Sequence, residues 1–246
     1  MDAGRVARRR GGFGVRKSDA NVAHAKRRPR LSIEQILAAC RLYDHHLTKW
    51  QGTDAALDRL RARVPELDAP SVLLKVAAVN TLYGTNLYAF QRMAEHIVEV
   101  LAAWGRSRYA PEIVERIANL PPNSADGKRR VHVSFAAKFA HFFLDAETFP
   151  ILDRFARESL ALHVGRPASR YAGRGAYGRF VEEFARLRTA AAWPGAGREL
   201  DRYLWLSGLL RVWRANPKGP INAEVRALFE NPPAGSHGDL ACLEGR

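Results

Sequence analysis

The sequence predicts an all-α fold. Three observations lead there. Apolar residues recur at spacings of three, four and seven along most of the chain, the period of a helix with one buried face. No stretch sustains the strict apolar–polar alternation of a half-buried strand. Helix start and stop signals bracket the periodic stretches: Ser32 and Gln35 at one start, Gly84 at one end, Pro111 and Pro150 at others.

Taken in order, residues 1–31 are rich in Arg, Gly and Ala and poor in large apolar side chains, which predicts a disordered basic arm. Ser32-Ile33-Glu34-Gln35 is a capping box that opens a helix running to about Trp50. A short helix is expected from about Thr53 to Val64, then a Pro-rich connector. Ser71 to Leu82 reads as a mostly buried helix that stops at Gly84, a residue suited to a left-handed C-terminal turn. A long helix follows from about Asn86 to Ala103 and a short one from Tyr109 to Asn119. The polar stretch Leu120–Arg130 is a loop, as is the Gly/Arg-rich stretch Gly165–Gly178. Helices are expected at about 176–192, 198–214 and 221–230. The domain so defined is 32–231, with a flexible Pro/Gly-rich tail over 232–246 and no internal repeat.

Residues 131–160 organise the rest. Phe135, Phe139, Phe142 and Phe143 form one apolar stripe on a first helix. Lys138 lies off that stripe, one turn beyond Ser134. A second helix is expected to begin at Phe149-Pro150, because proline fits a first turn. Asp153 then lies in or just after that turn, where the helix dipole favours a carboxylate. A lysine and a carboxylate are thereby brought to the junction of two helices.

Phe149-Pro150-Ile151-Leu152-Asp153, following a helix rich in small residues, resembles the segment of the helix-hairpin-helix DNA glycosylases that carries their essential aspartate. The resemblance runs from about Ser71 to Ala215 and is best with the branch that removes oxidised guanine. It implies a two-lobed helical fold with the active site between the lobes. It also implies an aspartate, Asp153, facing the sugar of an extruded nucleotide. Thr85 and Asn86, in Tyr83-Gly84-Thr85-Asn86, match the polar pair that fills the gap left by the flipped base. They also fit an ordinary helix cap. Leu200–Leu210 resembles the late helix that supplies an aromatic residue to the base pocket, and Trp205 falls at that place, where a core tryptophan would look the same. Ser134 stands where the family's catalytic lysine would be, and Lys138 lies one turn further on. The hairpin departs most: Leu120-Pro121 begins it, but its Gly-x-Gly core is replaced by a segment with Lys128, Arg129 and Arg130, which implies either phosphate binding by those side chains or a rebuilt loop.

Cleavage of an N-glycosidic bond builds positive charge on the sugar, which a fixed carboxylate stabilises. Asp153 suits that role. Lys138, if desolvated among the phenylalanines, would have a lowered pKa and attack the sugar carbon to form a Schiff base; a salt bridge to Asp153 or Asp145 is the plain alternative. Tyr83, Tyr88, Trp205 and Trp50 are candidates to stack on the extruded base. His141, His45 and His46 could read base or sugar edges, and Ser134 completes the expected pocket. No metal or cofactor is expected, since His45 and His46 face different ways on a helix and Cys40 and Cys242 are the only cysteines.

The charge points to a polyanion. The net is +14; residues 1–31 supply +8 of it, leaving +6 on the body. Double-stranded DNA is the expected partner, with Arg170 and Arg174 adding to the basic surface and the protein acting as a monomer. No apolar run approaches the ~20 residues that span a bilayer, so a cytoplasmic, nucleoid-associated location is expected. Two other readings stay open. One is a non-catalytic DNA-binding module of the same fold. The other is a HEPN-type ribonuclease, because Arg157 and His163 fit its short Arg-x(4–6)-His pattern. Which base would be removed, and whether in repair or in defence against phage DNA with modified bases, is not fixed by these residues.

Overall fold

The computed structural model describes residues 30–105, 110–122 and 131–245. Most of the expected basic arm, and Lys128, Arg129 and Arg130, lie outside the described residues. Among those described, eleven α-helices and one short 3₁₀ turn at Ala168–Tyr171 make up the regular structure, and there is no strand. The all-α expectation holds. Among the described residues no helix is long and apolar enough to cross a membrane.

α1 (Ile33–His46) starts at the predicted capping box, with both reciprocal hydrogen bonds between Ser32 and Gln35 in place. It does not reach Trp50. The chain breaks at the buried Leu47 and α2 (Thr48–Arg63) starts at once. The break is stabilised from far along the sequence: Glu224 accepts from the Lys49 N–H at 3.0 Å and the Thr48 hydroxyl at 3.2 Å. Two more helices are capped the same way, by a carboxylate distant in sequence that takes up first-turn N–H groups. Glu115 accepts from Gly175, Tyr177 and Gly178 at the start of α8 (Ala176–Ala190), and Glu147 accepts from Gly197 at the start of α9 (Gly197–Ala215).

α3 (Ala69–Tyr83) is capped by Asp68 and ends at Gly84 with φ +57°, the left-handed stop that the sequence predicts. α4 (Phe90–Trp104) begins four residues later than expected. Asn86 has φ +56°, which no helix interior accepts. The Asn80 side chain holds the intervening strap, accepting from the Leu87 N–H and the Thr85 hydroxyl, both at 2.8 Å. α5 (Glu112–Ala118) leads to α6 (Val133–Phe143), whose four phenylalanines are all buried.

The start of α7 (Arg154–Val164) corrects the expected geometry. Phe149 to Leu152 are not helical, and Asp153 is the N-cap itself, accepting from the Phe155 and Ala156 N–H groups at 2.9 Å each. Pro150 therefore lies outside the helix. Its carbonyl and its neighbours' backbone groups are taken by side chains of other helices, as described below, so the helical ladder cannot extend back to them.

The tail also differs from expectation. After α10 (Ala223–Glu230), α11 (His237–Leu243) lies on α1, with Leu240 and Leu243 buried and Asp239 gripping Arg41 through bonds of 2.7–3.2 Å. In outline, α3, α4, α5 and α6 pack on one another, while α1, α9 and α11, and α7, α8 and α9, form a second set; α2 touches α1, α3 and α6.

α7 and α9 approach unusually closely. Ser159 and Ser207 share a buried hydrogen bond of 2.6 Å, and a Cβ on Gly208 would stand 2.2 Å from the Phe155 carbonyl oxygen. Only glycine fits there, and Phe155 is two residues from Asp153. Gly208→Ala is expected to destabilise the fold by about 1–3 kcal/mol, the usual cost of overpacking, seen as a lower urea midpoint with an unchanged slope.

Candidate active site

The backbone before Asp153 is held by three buried side chains from three helices. His141 on α6 meets the Phe149 carbonyl at 2.9 Å through Nδ1. The Tyr177 hydroxyl on α8 donates to the Pro150 carbonyl at 2.9 Å. Asp201 on α9 accepts from the Ile151 N–H at 3.1 Å through Oδ1. Since a carbonyl only accepts, His141 carries its proton on Nδ1, and its Nε2 presents a lone pair. Burial lowers the His141 pKa from 6.5 to about 4, chiefly by desolvation.

Asp153 projects from this anchored loop. Its Oδ2 lies 4.0 Å from Lys138 Nζ. Lys138 is only 4% exposed. Helical side chains lean toward the N-terminus, so its amine reaches back one turn and donates to Ser134 Oγ at 2.8 Å. It also sits 5.5 Å from the centre of the Tyr83 ring. Desolvation pushes its pKa below the ordinary lysine range, while Asp153 and then Asp201 pull it back up. Asp145, the other partner considered, instead ties its own turn by accepting from Thr148 and the Glu147 N–H.

Two cavities meet at this pair. The outer one, about 540 Å³, has Thr85, Asn86, Ser134 and Lys138 on its walls, with Pro220, Ile221 and Asn222 opposite. The inner one is small, about 50 Å³, and runs behind Asp153 to His141 and Asp201. Trp50, Tyr83, Asp153 and Trp205 border both. The aromatic walls touch: Trp50 and Trp205 have ring centres 5.0 Å apart, and Trp50 and Tyr83 5.5 Å. Behind them Asp54 accepts from Tyr83 Oη at 2.7 Å and Tyr43 Oη at 2.8 Å, and Arg198 lies across the Phe142 ring, paired with Asp58 at 2.8 and 3.2 Å.

The structure thus brings together Lys138, Asp153, Ser134, Tyr83, Trp205, Thr85, Asn86 and His141, all expected from sequence. It does not bring Tyr88, which is 81% exposed and borders neither cavity; its turn lies in the strap before α4 rather than inside a helix. Arg170 spends its guanidinium on Glu183 at 2.9 Å, and Arg174 lines a different groove beside α4 and α5. Arg157 borders that same groove, whereas His163 lines another cavity and bonds Tyr203 Oη at 2.8 Å, so the Arg-x(4–6)-His pair does not share one pocket. Asp54, Arg198 and Asp201 were missed from sequence. Asp201 was the findable one: it stands four residues before Trp205, on the same face of a helix. Among the described residues no group of three or more His, Cys, Asp or Glu side chains is placed to hold a metal ion.

Comparison with known proteins gives one match. The family model described as HI_0787_N, N-terminal domain, is similar to residues 33–147. That span contains Ser134, Lys138 and His141 and ends before Asp153. No curated protein and no solved structure matches the chain.

The buried histidine ties stability to pH. Its folded pKa, about 4, lies below its unfolded value of 6.5. Above pH 6.5 both states are neutral there. As pH falls from 6.5 toward 4, the unfolded chain binds a proton that the folded chain refuses, and stability drops. The His141 contribution to that drop is expected to be about 3 kcal/mol. Urea unfolding of wild type and His141→Gln, which keeps a donor for the Phe149 carbonyl, should differ in pH dependence across that window.

Proposed function

We propose that this chain is a DNA N-glycosylase: it takes a damaged or modified base out of double-stranded DNA and cleaves its N-glycosidic bond, leaving an abasic site. One observation carries the reading. A desolvated lysine amine and an N-capping carboxylate face each other beside two cavities that share Trp50, Tyr83, Asp153 and Trp205 as walls. A nucleotide whose sugar lay against Lys138 and Asp153 would have its base against Trp50, Tyr83 and Trp205, and Thr85 and Asn86 would lie at the rim, toward the duplex it left.

On this reading the helices α3–α6 form one lobe, α1, α7–α9 and α11 the other, and the active site lies between them. Asp153 stabilises the positive charge that develops on the sugar and takes the proton of the attacking water. Lys138 offers a second route. Its neutral amine attacks C1′ and the base departs with the bonding electrons; the amine then loses a proton, the C1′–O4′ bond opens with a proton going to O4′, and a Schiff base results. The amine lies against Ser134, the position where the resembled family keeps its lysine, so a residue one turn along the helix can serve the same point in space. The positive balance of the chain, +14 overall, suits a DNA partner bound by a monomer in the nucleoid. A damaged base and a modified phage base both fit this chemistry; a panel of substrates decides between them.

The test is base release from duplexes carrying oxidised, alkylated and deaminated bases, and from phage DNA with modified cytosines. Asp153→Asn keeps a good N-cap, so it is expected to fold and bind DNA while losing base release by about 10²–10⁴-fold. Undiminished release would remove Asp153 from the mechanism. Release by no DNA, with tight and salt-sensitive binding, would leave a binding module. Borohydride should trap a covalent adduct with wild type if the lysine route operates. Lys138→Gln is expected to abolish that trapping, and an adduct that persists would place the nucleophile elsewhere.

A further inference from the structure

Asp201 is the buried ionisable group for which the chemistry above has no use beyond holding the loop. It lies within the inner cavity and is 5% exposed. Its Oδ1 accepts from the Ile151 N–H, but its Oδ2 has no hydrogen-bond partner and is sealed from solvent. The nearest cationic atom candidate, His141 Nδ1, is 3.7 Å away and already committed to the Phe149 carbonyl. A bare carboxylate oxygen left so would be costly, whereas a protonated one is an acid waiting for an acceptor. Two more buried polar atoms without hydrogen-bond partners, Trp50 Nε1 and His141 Nε2, belong to residues that line the same cavity.

We propose that Asp201 is the general acid of this site, donating the proton on Oδ2 to the base as it leaves. The role rests on the glycosylase reading and extends it. The two carboxyl groups occupy contrasting places: Asp153 takes two N–H bonds at a helix start, while Asp201 is enclosed beside it. Of the two, the enclosed carboxyl is the one placed to serve as acid. Charge and titratable groups face Asp201 from each element around it: Lys138 and His141 on α6, Asp153 before α7, Tyr177 on α8 and Arg198 on its own helix. Desolvation, with Asp153 adding to it, raises the Asp201 pKa well above the usual carboxylate range, against the pull of Ile151 N–H, Arg198 and Lys138.

In the reaction the C1′–N bond breaks and its electron pair stays with the base. The proton on Asp201 moves to the base heteroatom that receives that pair. Water adds to C1′ and gives its proton to Asp153, and exchange with solvent restores the starting protonation of both carboxyls. His141 Nε2, an obligate acceptor while Nδ1 is protonated, takes an N–H from the same base. Since the acid must be protonated, base release should fall as pH rises through the Asp201 pKa; Lys138 titrates the opposite way for nucleophilic attack, gaining activity as it loses its proton.

The experiment has two arms. In the first, protein labelled with ¹³C at the aspartate carboxyls is titrated by NMR without any substrate. One carboxyl signal, missing in Asp201→Asn, is expected to remain protonated at neutral pH; finding it ionised there overturns the proposal. In the second, single-turnover base release is followed against pH for the duplex that wild type processes. Asp201→Asn keeps the Ile151 acceptor, and its folding is checked by thermal unfolding. It is expected to slow release by about 10²–10⁴-fold and to abolish the alkaline limb of the profile. A wild-type profile with no alkaline limb, or a variant that is slow but retains the limb, reduces Asp201 to a loop anchor. If wild type releases no base from any duplex, the glycosylase reading falls and this role with it, while the titration still reports the state of the carboxyl.

Discussion

The hold on the Phe149–Ile151 backbone is the constraint on which the site depends. Three consecutive residues give a carbonyl, a carbonyl and an N–H to side chains from α6, α8 and α9. Each of those backbone groups would be unsatisfied in this buried position without its partner, at a cost of about 1–3 kcal/mol apiece. The segment is therefore neither helix nor free loop. It is an extended strap fixed at three points, and it delivers Asp153 to the start of α7 in a position where its carboxylate also caps the helix. The glycine contact between α9 and Phe155 fixes the same end of α7 from the other side. A carboxylate held this way has its orientation set by the fold and not by what it meets.

The same hold explains which parts of the molecule were readable in the sequence. Local signals survived. The Ser32 capping box, the Gly84 stop and the phenylalanine stripe of α6 all depend on residues within one or two turns of each other, and all are present. What was misread depended on partners far away. α1 ends at Leu47 because Glu224 caps the next helix, and nothing near Leu47 announces it. Pro150 looked like a first-turn proline, but Tyr177 and Asp201, 27 and 50 residues from their partners, take the backbone that a helix would need. The tail after Asn231 has the composition of a frayed end, and yet Leu240 and Leu243 find the face of α1. Composition describes what a segment can do alone, and tertiary contacts decide what it does.

The site residues divide along the same line. Lys138 was placed by a helix and a spacing that the sequence shows, whereas Asp153 reaches the same junction although the start of its helix was misread. Tyr88 was misplaced because the helix expected from Asn86 starts only at Phe90, which leaves the ring on an exposed strap. Asp201 escaped notice because a single aspartate in Leu200–Leu210 is ordinary until its surroundings are known. Its buried Oδ2, not its identity, makes it chemically interesting.

The fold carries these groups at a cost to its own stability. A lysine amine, a carboxyl oxygen and an imidazole nitrogen lie out of solvent in one small region, and two of the three lack the hydrogen bonds they would have in water. Apolar residues of similar size at Lys138, His141 and Asp201 would pack at least as well. Such local departures from the most stable choice concentrate at functional sites. The phenylalanines around Lys138 and the aromatic walls around Asp201 then have a second effect besides filling space. They keep water from the polar groups, and so they are the cause of the shifted protonation states: a lysine pushed toward its neutral form and a carboxyl pushed toward its acid form, within one cavity wall of each other. Neither state would persist if these two groups were exposed to water. Exclusion of water therefore does more here than stabilise the core, because it sets the direction in which each of these groups can move a proton.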